Sequence, residues 1–260
     1  MAVAAIHRRH GPRALVKGKP ASTVPHIPTG FPALDRALGI GGLPRGRVCE
    51  LVGPATSGKT TLALKFLAQA QAGNGQRVAG PHVARQHVGY VDQALYFDPD
   101  YAYRCGLDLS RLLVGTAHDL QEALAMTEAL ARNGDLAALV FDALSFLWTD
   151  PVAASLLAAT LNRLPAFLAR SGTTLLVLHD SPLGDSPTSG MLTSDTLALS
   201  TLAHTAAVRL QVVRERWLRQ HSDVRGYEAR VEVLKNRHGP AGRQATIAIK
   251  FNGIVRGNGL

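Results

Sequence analysis

Acidic residues are missing from the first 25 positions of this 260-residue chain, although Arg8, Arg9, Arg13, Lys17 and Lys19 lie there. Cysteine is scarce too: only Cys49 and Cys105 are present. Their spacing fits neither a metal site nor a redox pair, which excludes a disulfide scaffold and leaves two buried free thiols in a reducing compartment. No stretch comes near the ~18 consecutive apolar residues that a membrane helix needs. The first residues lack an apolar signal core, so a cytoplasmic protein is expected. Ten histidines are present, but none falls in an H-x-H or H-E-x-x-H pattern, so a histidine metal site is not expected. His82 and His87 are placed in a surface loop over Gly80–His87. Aromatics make up 5% of the chain and charged residues 18%, a globular rather than a disordered composition.

What is present is a large apolar fraction, 46%, enough for one substantial core or a core with a small appendage. The net charge is +9 and unevenly spread. From Arg209 onward, eleven Lys and Arg face four Asp and Glu. Two basic ends around a near-neutral middle suit a polyanionic partner, nucleic acid first, or else a solvated basic tail and face.

The most specific signal is Gly53-Pro54-Ala55-Thr56-Ser57-Gly58-Lys59-Thr60-Thr61, which fits the phosphate-loop pattern G-x-x-x-x-G-K-[ST]. Gly53 and Gly58 permit backbone angles that turn successive N–H groups toward an anion. Lys59 supplies a charge for the β- and γ-phosphates, and the Thr60 hydroxyl can ligate Mg²⁺. A strand over Arg47–Val52 leads in. Leu62, Phe66, Leu67 and Ala70 then recur at helical spacing, placing the loop at a helix N-terminus.

Around the loop the chain alternates strand and helix. A basic arm and linker, residues 1–26, includes a short helix over Val3–His10. A core over 27–260 begins with a helix in Gly30–Leu38, with Leu34 and Leu38 facing inward. Strands are expected at Val88–Val91, Ala137–Phe141 and Thr173–Leu178. Helices are expected at Asp119–Ala131, opened by a D-x-x-E start, and at Val152–Arg170, with Pro165 as a kink. Two-residue alternation in Ala207–Val213, Arg230–Leu234 and Ala245–Phe251 predicts antiparallel strands added at the sheet edge. In the last of these, Ala245, Ile247, Ile249 and Phe251 share one face. Asp142 closes a buried strand, where a phosphate-loop protein places the acid of its Mg²⁺ shell; a helix-capping Asp is the alternative. One strand is placed between the phosphate-loop strand and the Asp142 strand. It ends at Asp92, and its end could present a base to an attacking water.

The segments Ile27-Pro28-Thr29-Gly30, Leu34-Asp35, Ala37-Leu38-Gly39, Gly41-Gly42-Leu43-Pro44, Gly46-Arg47, Gly53–Thr61, Asp98-Pro99, Tyr101-Ala102, Gly106 and Lys235-Asn236-Arg237 together resemble the RecA/RadA recombinase core, from about Ile27 to Phe251. The resemblance implies a three-layer α/β RecA-type fold, a mostly parallel sheet extended by antiparallel C-terminal strands. It implies ATP and Mg²⁺ as cofactors. It would stack Tyr101 on adenine, set Asp98 by the adenine amino group, and send Lys235 and Arg237 to ATP on a neighbouring subunit. Without it, Tyr101 reads as packing, and Lys235 and Arg237 as solvated residues before a turn.

Three departures accompany the matches. The family's water-activating glutamate has Ala94 at its place, and alanine moves no proton. Gln93 is expected on the other strand face. Asp92 and Asp100 are the substitutes. Where the family's γ-phosphate-sensing glutamine follows a strand, this chain has His179-Asp180, and an aspartate there would repel the phosphate. The segment between Asp142 and Thr173 is too short for the family's first DNA loop, and no counterpart of its usual C-terminal domain is expected. Ser181–Thr196, where the family keeps a mobile DNA-contacting loop, has no Lys or Arg but carries Asp185 and Asp195.

This balance resembles the degenerate RecA-like accessory proteins of bacterial DNA repair, such as ImuA. The resemblance implies a role in recombination, repair or SOS-type mutagenesis, with weak or no hydrolysis and a recombinase or error-prone polymerase as partner. Single-stranded DNA and self-association into a filament are the other partners implied. The alternatives are an active DNA-dependent ATPase and recombinase, and a RecA-like regulatory ATPase that does not act on DNA.

Overall fold

Alternation along the buried strands sorts side chains to the two faces of one sheet, and each face gathers its own apolar cluster. The structure is a computed structural model. It describes residues 2–11, 23–73, 87–93, 95–142, 151–180, 195–220 and 223–250. Ala94, most of the expected 80–87 loop, Phe251 and residues 181–194 lie outside the described residues.

The chain opens with α1 (Ala2–His10), and a two-stranded ribbon of β1 (His26–Ile27) and β2 (Leu43–Pro44) brackets α2 (Pro32–Leu38). Then follow β3 (Val48–Gly53), α3 (Lys59–Gln71), β4 (His87–Asp92), α4 (Pro99–Arg104), β5 (Leu112–Thr116), α5 (Leu120–Asn133), β6 (Leu136–Asp142), α6 (Pro151–Ser171) and β7 (Thr174–Asp180). The last elements are α7 (Asp195–Thr205), β8 (Val208–Gln220), β9 (Asp223–Asn236) and β10 (Gln244–Lys250). Among the described residues, no helix is long and apolar enough to cross a membrane.

The main sheet has the order β10-β9-β8-β3-β7-β6-β4-β5. Parallel pairing runs from β8 through β3 to β5, and the antiparallel extension starts only at β8–β9. The strand expected at Ala207–Val213 therefore lies parallel to β3. One sequence expectation is overturned: the strand between β3 and β6 in space is β7, and β4 lies beyond β6. A helical crossover carries a parallel strand past its neighbours in sequence, so order along the chain is not order across the sheet.

The expected helices form for the reasons read from sequence. The Asp119 side chain accepts the Glu122 N–H at 2.8 Å, and Glu122 reaches back to the His118 N–H at 2.9 Å, a reciprocal cap. Gly134 ends α5 at φ +69. Leu62, Phe66, Leu67 and Ala70 of α3 are buried against one sheet face. Helices α5 and α6 cover the other. Both cysteines are buried free thiols, and burial pushes the Cys105 thiol up to about 11. His87 opens β4 rather than lying in a loop, and Asp195 and Thr196 begin α7 rather than extending the loop before them.

One polar group sits in the middle of β3. Glu50 is fully buried on the α6 and α7 face. Its carboxylate accepts His179 Nε2 at 2.8 Å and the Arg209 guanidinium at 2.5 and 3.1 Å, so β3, β7 and β8 are tied together from the inside. Burial pushes the Glu50 carboxyl up, but His179 and Arg209 together outweigh it and hold the group below its ordinary 4.5. A carboxyl depressed in the folded state stabilises fully above its ordinary value and loses that contribution as pH falls through the depressed one. Glu50→Gln is expected to cost about 3–5 kcal/mol in urea unfolding at neutral pH, because it takes the carboxylate from the half-buried Arg209 guanidinium and from the buried His179 ring. The difference from the parent chain should shrink below pH 4.5 as Glu50 itself takes up a proton.

Candidate nucleotide-binding site

The phosphate loop leaves the C-terminal end of β3, and α3 begins at Lys59. Ser57 N–H closes a turn on the Pro54 carbonyl at 3.2 Å. Thr56 at φ +60 and Gly58 at φ +107 give the loop left-handed residues of the kind that form anion nests. Side chains are excluded where the backbone must pass closely. A Cβ on Gly53 would meet the Val212 carbonyl at 2.2 Å, and one on Gly58 would meet the Tyr227 hydroxyl at 2.7 Å. Pro54, Ala55, Thr56 and Thr60 are exposed, whereas Ser57 and Lys59 are buried. The Ser57 Oγ is buried without a hydrogen-bond partner, a donor and acceptor left for something the chain itself does not provide.

Lys59 is held in three directions. Its ammonium donates to the Gly53 carbonyl at 2.9 Å and the Pro54 carbonyl at 2.8 Å, and it pairs with Asp180 Oδ1 at 2.6 Å. Sequence reasoning ended the preceding strand at Leu178. In the structure β7 runs two residues further, and register sets Asp180 directly beside Gly53.

Parity brings two more carboxylates to the same place. Leu176 and Leu178 lie in the α3-side cluster, and Asp180 follows them by two. Tyr90 precedes Asp92, and Val140 precedes Asp142, on that same face. Asp92 and Asp142 are register partners across β4 and β6. Asp142 accepts the Tyr90 hydroxyl. Burial pushes its carboxyl above the ordinary 3.8; the Tyr90 hydroxyl opposes this, Asp92 adds to it, Lys59 opposes it and Asp180 adds again. Asp142 is therefore a strand-end carboxylate on the α3 face of the sheet, within electrostatic reach of Lys59. Asp92 is buried, and its Oδ2 accepts the Phe97 N–H at 2.7 Å, folding the segment after β4 back on itself. Asp100 is exposed in the first turn of α4, apart from these strand ends.

Asp98 caps α4 by accepting the Tyr101 N–H at 3.0 Å. The Tyr101 ring is half-buried against the core, and its hydroxyl meets Thr61 Oγ1 at 2.5 Å. Burial pushes that phenol up to about 12. Tyr101 thus ties α4 to the first turn of α3. Tyr227 of β9 also engages Thr61, opposite Gly58. Arg214 of β8 reaches Thr56 Oγ1 at 3.3 Å and lies over the Trp217 ring at 4.3 Å. Sequence reasoning missed Arg214, Trp217 and Tyr227, because apolar alternation stops at Val213 while the paired strands continue to Gln220.

Lys235 is half-buried near the end of β9, and Arg237 is exposed in the bend that follows it. Lys235 donates to the Ala203 and His204 carbonyls at 2.6 and 2.9 Å, and Arg237 donates to His204, so both cap the C-terminus of α7. Burial, then Arg237 and Arg209, lowers the Lys235 ammonium from its ordinary value. These cations sit on the α7 face, level with the start of β3. The phosphate loop leaves the other end of β3, and Lys59 joins the opposite face. Within one chain the two sets do not converge on a single phosphate.

Because the Asp142 carboxyl is raised in the folded state, its ionisation costs stability once pH exceeds 3.8. Asp142→Asn is expected to raise the urea midpoint of the nucleotide-free protein at pH 7, and the gain should vanish below pH 3.8.

The sequence profile of the RecA N-terminal domain matches residues 1–256. The protein named Protein RecA from Streptomyces avermitilis is 34% identical over 276 residues, covering 100% of this chain and 70% of its own length. That from Mycobacterium sp. strain KMS is 33% identical over 267 residues, covering 96% and 73%. That from Herpetosiphon aurantiacus is 32% identical over 269 residues, covering 98% and 72%.

Proposed function

The chain belongs to the RecA family, and from that premise we propose an ATP- and Mg²⁺-binding accessory protein of DNA recombination, repair or SOS-type mutagenesis. It hydrolyses ATP slowly or not at all, and it acts in the cytoplasm through a recombinase or error-prone polymerase partner. The observation that carries this reading is an intact phosphate cradle whose lysine is already paired with a carboxylate, beside a sequence that puts alanine at position 94.

In this reading the backbone of Gly53–Thr61 holds the phosphates. The exposed Thr60 hydroxyl and the Asp142 carboxylate hold Mg²⁺ with phosphate oxygens, the arrangement that this ion favours. Asp98 and Tyr101 line the adenine side. The bound triphosphate supplies the negative charge that draws protomers together, and Lys235 and Arg237 meet that charge from the neighbouring protomer. Their place away from the phosphate loop of their own chain supports a contact made between chains. Asp92 and Asp100 are the remaining groups for activating a water, and Asp92 already serves the Phe97 backbone. Residues 1–26 form the basic arm, residues 27–260 the core, and single-stranded DNA is the polyanion that suits the basic ends.

The whole-chain match to proteins named Protein RecA favours a second reading, a working DNA-dependent ATPase. Phosphate release with and without single-stranded DNA separates the two. No DNA-stimulated release is expected. Release that DNA stimulates and Lys59→Ala abolishes would reject the accessory role. Absence of any salt-sensitive DNA binding would favour a regulator that does not act on DNA. Lys59→Ala is expected to weaken nucleotide binding by roughly 10- to 100-fold in calorimetry, the worth of a charged hydrogen bond. Replacing Lys235 and Arg237 together by Ala should abolish nucleotide-dependent assembly in sedimentation while leaving nucleotide binding by the isolated protomer intact.

A further inference from the structure

The pairing at Lys59 carries an inference about which nucleotide the site holds. A lysine ammonium has three hydrogens to donate. In this chain Gly53, Pro54 and Asp180 take all three. The Asp180 carboxylate is an anion delivered to the lysine from the end of β7, where a terminal phosphoryl group would otherwise claim it. The register sets Asp180 beside Gly53, the first residue of the loop, so the sheet itself carries the carboxylate to this position. The preceding residue is fastened as well. His179 is buried, its Nε2 is bound to Glu50, and its Nδ1 lies 3.1 Å from the Asp180 carbonyl oxygen. Glu50 is locked in turn by Arg209.

A diphosphate brings its β-phosphate alone to the Lys59–Asp180 pair. A triphosphate brings a further phosphoryl group to the ammonium. It must then either eject Asp180 from a pair in which Lys59 is almost fully buried, or share the lysine with a like charge at contact distance. The diphosphate carries one phosphoryl group fewer toward Asp180 and meets less of either cost.

We propose that Asp180 is a specificity-determining residue that makes this site hold a nucleoside diphosphate in preference to the triphosphate. This rests on the reading of the loop as a nucleotide site. It departs from a simple ATP-loaded state: the chain at rest carries ADP, and the ATP-bound form needs Asp180 displaced, by a partner or by a high triphosphate concentration. The buried, unpartnered Ser57 Oγ is independent of Asp180 and marks the loop as built for a ligand.

Isothermal titration of the full chain with ADP and with the non-hydrolysable analogue adenylyl imidodiphosphate, each with excess Mg²⁺, tests it. The parent protein is expected to bind ADP at least tenfold more tightly. Asp180→Asn keeps the shape, removes the charge and offers an amide donor to the extra phosphoryl group. It should narrow the ratio by tenfold or more, mainly by tightening the triphosphate analogue. Asp180→Ala should narrow it too, by removing the repulsion alone, which guards against a folding defect particular to one variant. Equal affinities in the parent chain, or a preference for the triphosphate analogue, overturn the proposal whatever the variants do. A diphosphate preference that survives both substitutions overturns the role of Asp180. Failure of the parent chain to bind either nucleotide is a different result, which overturns the nucleotide-site reading and this inference with it.

Discussion

The ammonium of Lys59, buried at the mouth of the sheet, constrains everything around it. A cation in that position must be compensated, because an unpaired charge removed from water costs several kcal/mol. Two loop carbonyls and the Asp180 carboxylate provide the compensation. To do so, β7 must lie next to β3 and extend to Asp180, and the register must hold to the last residue pair. The buried Glu50 and His179, with the half-buried Arg209, fix that alignment from the opposite face of the sheet. The electrostatics of the loop and the topology of the core are one problem solved together.

Local features were legible in the sequence because local physics determines them. The phosphate loop is a spacing pattern, the stripe Leu62, Phe66, Leu67 and Ala70 is a helical period, and the Asp119–Glu122 cap is a three-residue relation. Strand ends marked by Asp92 and Asp142 followed from apolar runs stopping at a charge. What the sequence concealed depends on which strands become neighbours. The pairing of Asp180 with Lys59 needs β7 to slip between β3 and β6, although β4, α5 and β6 separate β3 from β7 along the chain. The polar pair His179-Asp180 looked like the end of a strand, and His179 is buried only because Glu50 waits for it 129 residues away.

The length of the β8–β9 ribbon was concealed for another reason. Past Val213 its stability comes from charged and aromatic cross-strand contacts: Arg216 with Glu228, Arg230 with Glu215, and Trp217 edge-on to Tyr227 at 5.9 Å. Such pairs leave no hydrophobic alternation to read. Yet this ribbon walls the phosphate loop, supplying the Arg214 contact to Thr56 and the Tyr227 hydroxyl that leaves Gly58 no room for a side chain.

The capping of α7 by Lys235 and Arg237 has a mechanical consequence. Lys235 spends two of its three hydrogens on the Ala203 and His204 carbonyls and Arg237 spends one of its five on His204, so an anion on another molecule would compete with the helix end for the same two cations. Drawing them outward would bare the last turn of α7 and loosen its anchorage, and α7 is the first described helix after Asp180. An event at an outer surface of this chain would thereby be felt at the far side of the sheet, through a helix end that gains or loses its seal.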